Sequence, residues 1–316
     1  MREESVPPTT PAAYDEVYQA LRPLLFSLAY RMIGSLGEAE DIVQEAFLRY
    51  HRALAEGTEI AAPKAFLTTV ATRLAIDAVR SARARHETYV GVWLPEPLAV
   101  SLEPDPAEHA EMNDTLSLAF LVLLQALSPV ERAVFLLREV FDYGYDEIAS
   151  IVQKSEDNCR QIFARAKKHI DAGKPRYDAD PARQREFASR FFAAADRGDM
   201  RDLVTFLAED AAFYGDGGGK AHAYPQPVVG RRRVALVFKS LFKSARDLHV
   251  TVRYGLVNGQ PGVVSFDPDG RIISAMALVI RDGVIQAVHS MVNPDKLARL
   301  GFPVSDMARM SSTTRG

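Results

Sequence analysis

The chain has 316 residues, 47% hydrophobic and 25% charged, which is room for two or three folding units and excludes wholesale disorder. Its net charge of -3 divides into -8 over residues 1–174 (18 Lys+Arg, 26 Asp+Glu) and +5 over the rest (20 and 15), so the total does not exclude a polyanion partner. One cysteine, Cys159, excludes an intramolecular disulfide, and no apolar run or secretory signal points to a membrane; a cytoplasmic location with no membrane partner is expected.

From the N-terminus, Val17, Leu21, Leu24, Leu25, Leu28 and Met32 recur at helical spacing. Ser35 and Glu38 then form a capping box, and the helix they open buries Ile42, Val43, Ala46, Phe47 and Tyr50. Its outer face, with Glu38, Glu40, Asp41, Gln44 and Glu45, is acidic. After Pro63 a third helix turns Leu67, Val70, Ala71, Leu74 and Ala78 inward, and Thr69, Arg73, Arg80 and Arg83 share its outer stripe. Lys64 to Arg85 holds five basic residues and one acid, a candidate patch for a nucleic-acid backbone that is equally a solvated face.

Residues 89–113 carry proline after proline, five acids between Glu103 and Asp114, and the single tryptophan, in the stretch WLPEP (Trp93, Leu94, Pro95, Glu96, Pro97). They read as a linker, an odd place for a large aromatic. Helical pattern resumes at LSLAFLVLLQAL, and SPVE supplies Ser128 as N-cap, Pro129 at the first helical position and Glu131 as box partner. YDEIASIV is a short helix, QKS a turn, and the helix from Ser155 faces Cys159, Ile162, Phe163, Ala166 and Ile170 inward with Asn158, Gln161, Arg165 and Lys168 outward. Two helices and a tight turn, the second polar and basic outside, form a helix-turn-helix whose Asn, Gln and Arg can pair with base edges. The same pattern fits a plain helical hairpin.

Beyond residue 175 two amphipathic helices precede strands separated by Asn258-Gly259, Asp269-Gly270 and Asp282-Gly283, so helices on one face of an antiparallel meander are expected. YGDGGGKA is a sharp glycine turn; it fails the phosphate-loop pattern at Tyr214 and Ala221. The histidines have no metal-ligand spacing and Cys159 faces a core, so no metal site, catalytic residue or cofactor is assigned.

AEDIVQEAFLRYHRAL followed by AFLTTVATRLAIDAVRSARARHE resembles region 2 of extracytoplasmic-function (ECF) sigma factors, and LSPVERAVFLLREVFDYGYDEIASIVQKSEDNCRQIFARAKKHI resembles region 4. The C-terminal half is similar to SnoaL-like (NTF2-like) cone-shaped domains, and WLPEP, DGGGK (Asp216, Gly217, Gly218, Gly219, Lys220) and NPDKL (Asn293, Pro294, Asp295, Lys296, Leu297) are the signatures of ECF sigma factors of the SigJ type, which carry that extension. The resemblance implies a multidomain chain: an all-α region 2 bundle over 12–88, the linker over 89–113, an all-α region 4 helix-turn-helix over 114–173, an α+β SnoaL-like domain over 180–300 and a tail over 301–316.

It also implies roles. Asp41, Gln44, Glu45 and Leu48 would dock on core RNA polymerase; Arg73, Arg80 and Arg83 would meet the promoter minus-ten element, with Phe66 packing; Asn158, Arg160, Gln161, Arg165 and Lys168 would meet the minus-thirty-five element. Two departures from the family pattern stand out: Ile162 replaces an arginine of the recognition helix, and Arg73 an asparagine. The three signatures would form an in-cis regulatory contact, with WLPEP packed on the C-terminal domain in place of a separate anti-sigma factor. The alternatives are a ligand sensor, with a small molecule in the cone, or a polyketide-cyclase-like enzyme using Asp216, His222, Tyr254 or His289. Whether the domain activates or represses stays open.

Overall fold

Helix α1 (Pro11–Ile33) runs through Pro23, and α2 (Leu36–Ala55) starts where the Ser35 hydroxyl accepts the Glu38 amide at 3.5 Å. The computed structural model describes residues 11–86, 89–98, 100–101, 116–173 and 181–300. Ile42, Val43, Ala46, Phe47 and Tyr50 are buried on α2, as the apolar spacing requires. Helix α3 (Pro63–His86) buries a wider arc than its apolar residues predict, because Thr68 and Thr72 are also inside. The Thr68 hydroxyl is 2.9 Å from that of Tyr143, which satisfies two polar groups at once.

After α4 (Leu118–Gln125), α5 (Pro129–Glu139) begins with the full capping box: the Glu131 amide donates to Ser128 Oγ, and the Ser128 amide to Glu131 Oε2 at 3.0 Å. Buried Arg132 donates to the Met32 carbonyl at the end of α1, placing a cation where a helix C-terminus is negative. Helix α6 (Tyr145–Val152) ends at Gln153, whose φ of 54° makes the left-handed turn into α7 (Glu156–Gly173). Apart from α4, most of which falls outside it, these helices form one compact unit of residues up to 84 and 124–172.

The second unit joins residues 85–123 to 173–305, so the described part of the linker, residues 89–98 and 100–101, belongs with the C-terminal domain. Helices α8 (Pro181–Arg197) and α9 (Met200–Phe206) lead into β2 (Leu207–Asp216); β3 (Val228–Val229), α10 (Arg231–Asp247), β4 (Thr251–Val257), β5 (Gln260–Phe266), β6 (Ile272–Arg281), β7 (Val284–Met291) and α11 (Pro294–Leu297) follow. With β1 (Val100–Ser101) from the linker, the seven strands lie in the order β1-β4-β5-β6-β7-β2-β3. The meander β4 to β7 is antiparallel as expected, and its turns use left-handed Asn258, Gly259, Asp282 and Gly283. Strand β2, paired parallel to β7, was not expected: it leaves α9 without a turn residue, and exposed Glu209 and Asp210 interrupt its alternation next to a register shift.

Side chains alternate across this sheet. Phe213 and Val288 face α8, α9 and α10, where Phe191, Phe192, Phe206, Phe238 and Phe242 fill the space between helices and sheet. Tyr214 and His289, one residue further along each strand, face the other side with ring centroids 5.5 Å apart.

Candidate functional site

On the helical unit, α2 leaves Asp41, Gln44 and Leu48 exposed, Leu48 at 51%. Glu45 is partly exposed and pairs with Arg49 at 2.7 Å. Asp41, Gln44, Glu45 and Leu48 thus share the outward side of α2. On α7, Asn158, Arg160, Gln161, Arg165 and Lys168 are all exposed along one side, while Cys159, Ile162, Ala166 and Ile170 are buried. Arg160 donates to Glu156 at 2.7 Å and lies 4.7 Å over the Tyr145 ring; Arg165 is 4.0 Å from Glu131. Such exposed pairs contribute at most about 1 kcal/mol, so they do not lock the two guanidinium groups in place. Ile162, 5% exposed, is a core residue, which explains why no charged side chain stands there. Burial raises the Cys159 thiol pKa, opposite to what a reactive cysteine needs.

Arg73 has partners no sequence pattern indicated. Its Nε donates to the Ile151 carbonyl at 3.0 Å and its Nη2 to the Ser150 carbonyl at 3.1 Å, both in the last turn of α6. Arg80 pairs with Asp77 at 3.0 Å, and Phe66 packs its ring against Tyr50. The Arg83 side chain lies outside the described residues, as do the acid cluster of the linker and residues 301–316.

In the second unit WLPEP, DGGGK and NPDKL meet. Asp216, wholly buried at the end of β2, accepts three hydrogen bonds: from Tyr89 Oη at 2.5 Å, the Leu94 amide at 2.8 Å and Lys296 Nζ at 2.7 Å. Lys296 also donates to the Leu94 carbonyl at 2.5 Å and stands 4.0 Å from the Trp93 ring centroid. A buried ammonium over an indole face gains from the ring quadrupole once water is excluded. Burial lowers the Lys296 pKa against the opposing pull of Asp216, and burial with the Asp216 contact raises that of Tyr89.

Each remaining signature residue has a physical task. A Cβ on Gly217 would sit 2.2 Å from the Ala221 carbonyl oxygen, and one on Gly218, at φ 58°, 2.3 Å from Asn293 Nδ2; only glycine allows that approach. Gly219, also left-handed, lies against Val90, and Lys220 pairs with Asp295 at 2.5 Å. Asn293 caps α11 by accepting the Asp295 amide at 3.1 Å and donates from Nδ2 to Tyr89 Oη at 2.9 Å. Pro294 opens that helix, Leu297 is buried, and so are Leu94, Pro95 and Pro97, while Glu96 is partly exposed.

Further along, the Leu98 amide donates to Asn258 Oδ1 at 2.7 Å, Val100 and Ser101 pair with Val257 and Leu256, and the Ala119 amide donates to Gln260 Oε1 at 3.2 Å. Tyr89, Asn258 and Gln260 escaped the sequence reading: nothing marks Tyr89, Asn258 looks like an ordinary turn residue, and only its burial, with that of Gln260, sets the two apart.

The four acid–base candidates do not converge. Asp216 and His289 lie on the sheet side opposite the phenylalanine core, Tyr254 contacts Phe192 on the core side, and His222 is exposed in a loop. Asp216 is spent on structural hydrogen bonds, and burial holds the His289 pKa down to about 4.

A two-region helical unit with an exposed polar recognition helix, its linker built into an α+β domain, has the architecture of a transcription initiation factor carrying a fused third domain. Family models agree: Sigma-70 region 2 matches residues 17–85, Sigma-70 region 4 residues 117–170, and the SnoaL-like domain residues 188–291. The chain is 36% identical to the ECF RNA polymerase sigma factor SigJ of Mycobacterium tuberculosis, over 95% of this chain and 97% of that one. It is 32% identical to a probable ECF RNA polymerase sigma factor SigI of the same species, over 89% and 93%. The crystal structure of M. tuberculosis SigJ matches with a TM-score of 0.68 at 33% identity, covering 90% of this chain and 98% of that one. The chain belongs to the ECF RNA polymerase sigma factors, in the branch that carries a C-terminal SnoaL-like domain.

Proposed function

We propose that the chain loads onto core RNA polymerase through the acidic face of α2 (Asp41, Gln44, Glu45, Leu48) and reads the minus-thirty-five element through Asn158, Arg160, Gln161, Arg165 and Lys168 on α7. Arg73, Arg80 and Arg83 of α3 serve the minus-ten element, and Arg73 must first release the two carbonyls of α6. The SnoaL-like domain regulates this activity in cis. One observation carries the regulatory reading: the segment that joins the two promoter-reading regions is fastened to the C-terminal domain by the buried cluster of Asp216, Lys296, Tyr89 and Trp93. A domain that holds the linker constrains how far the two reading regions can separate. Removing one partner of a buried ion pair costs about 3 to 5 kcal/mol through the charge left behind, so Trp93→Ala is the milder way to loosen the contact.

Run-off transcription with reconstituted core polymerase tests both parts. The full chain, Trp93→Ala and a chain ended near residue 175 are expected to differ in promoter output. Equal output from all three would end the in-cis reading, and no core-dependent transcript from any of them would end the initiation reading. Six phenylalanines packed inside the cone weigh against the ligand-sensor and cyclase alternatives.

A further inference from the structure

Helix α10 carries a feature that neither its fold nor the promoter-reading regions use. Arg232, Lys239 and Lys243, separated by seven and four residues, project from the side opposite buried Val234, Val237, Phe238 and Phe242. With Arg233 beside them, they have no ion-pair partner among the described residues, whereas Arg231 is held by Glu209 and Arg246 by Asp196. From Arg231 to Arg246 the sequence contains no acid. Some exposed cations elsewhere are paired within the chain, as at Arg49, Arg160 and Lys220, and others, as at Arg52 and Lys168, have no ion-pair partner among the described residues; what sets α10 apart is that four unpaired cations lie on one helix.

Local stability does not account for the pattern. Arg231, Arg232 and Arg233 fill the first turn of α10, which has no acidic residue, and so oppose the positive end of the helix dipole. A stripe kept free of acids, set against the dipole and left unpaired is matched by a polyanion. From Arg232 to Lys243 it runs about 16 Å, beside which duplex DNA presents roughly ten phosphates. Arg and Lys spaced along one exposed helix face supply the cations that phosphate oxygens bind, and such contacts carry no sequence information.

We infer that the outer face of α10 is a sequence-independent contact for the duplex DNA backbone, which makes the SnoaL-like domain a DNA-binding as well as a regulatory element. The inference rests on the reading of the chain as a promoter-DNA factor and adds a surface outside regions 2 and 4. The test uses the full chain without polymerase and a labelled duplex of unrelated sequence, with binding followed by fluorescence anisotropy from 50 to 300 mM KCl. The triple variant Arg232→Ala, Lys239→Ala, Lys243→Ala is expected to bind about tenfold more weakly and to lower the log–log salt slope by about 2 to 3, as for three lost phosphate contacts. Its melting temperature should equal or exceed that of the parent, because a charge opposing the dipole is gone; this control separates lost contacts from lost fold. Unchanged affinity and slope would overturn the inference. So would unchanged DNA binding with weaker core-polymerase binding, which would give the stripe, with exposed Leu236 in its middle, to a protein partner. Run-off transcription by the parent chain is read separately, so failure of the initiation reading stays distinguishable from failure of this one.

Discussion

His289 is 4% exposed, and its Nδ1 has no hydrogen-bond partner. Burial therefore favours the neutral ring and lowers its pKa to about 4, against about 6.5 in an unfolded chain. The folded state binds fewer protons in that window, so the contribution of this group is complete above pH 6.5 and declines as the pH falls toward 4. The shift corresponds to about 3 kcal/mol, most of it gone by pH 4.5. Urea unfolding at pH 7.5 and 4.5 should show a smaller drop for His289→Leu than for the parent, and an equal drop would mean the ring is hydrated when folded. Lys296 and Asp216 differ from His289 in being paired: their partners hold register rather than add much net stability.

Between elements, the contact of α3 with the end of α6 depends on one guanidinium. Arg73 places two donors on adjacent carbonyls of a helix C-terminus, where a cation is favoured. Arg73→Ala should destabilise the helical unit by about 1 to 2 kcal/mol in denaturant unfolding. Arg73→Lys should recover less than half, since one ammonium replaces a two-pronged fork; full recovery by lysine would reduce the contact to simple charge. This element pair also marks how far the sequence could be read. Ser35 and Ser128 announced their helices because capping is local, and Asn258-Gly259 and Asp282-Gly283 announced hairpins because left-handed backbone selects those residues. The Arg73 contact spans 77 and 78 residues, and no local rule encodes a carbonyl that far away. Strand β2 was missed because its pairing with β7 overrides a weak alternation. The buried latch in which WLPEP, DGGGK and NPDKL meet was expected from the family resemblance; Tyr89, whose hydroxyl joins Asp216 and Asn293 within it, had no motif.

For the whole molecule, the boundary between its two units does not follow the order of the chain, because residues 85–123 are built into the C-terminal unit. A chain ended near residue 175 keeps that segment and loses the surface that buries it. Leu94, Pro95 and Pro97, all buried in the complete protein, then become accessible. Such a truncation should bind a hydrophobic dye and associate at micromolar concentration, while one that also lacks residues 89–113 should do so less; equal dye binding by both would mean the segment finds another cover. The latch also bears on descent. Trp93 and Asp216 are 123 positions apart in the chain but share one buried ammonium. A change at either end leaves a charge or an indole without its counterpart, so linker and domain can be exchanged between relatives only as a matched set. Recombination that splits them would yield hybrids with intact motifs and no functioning latch.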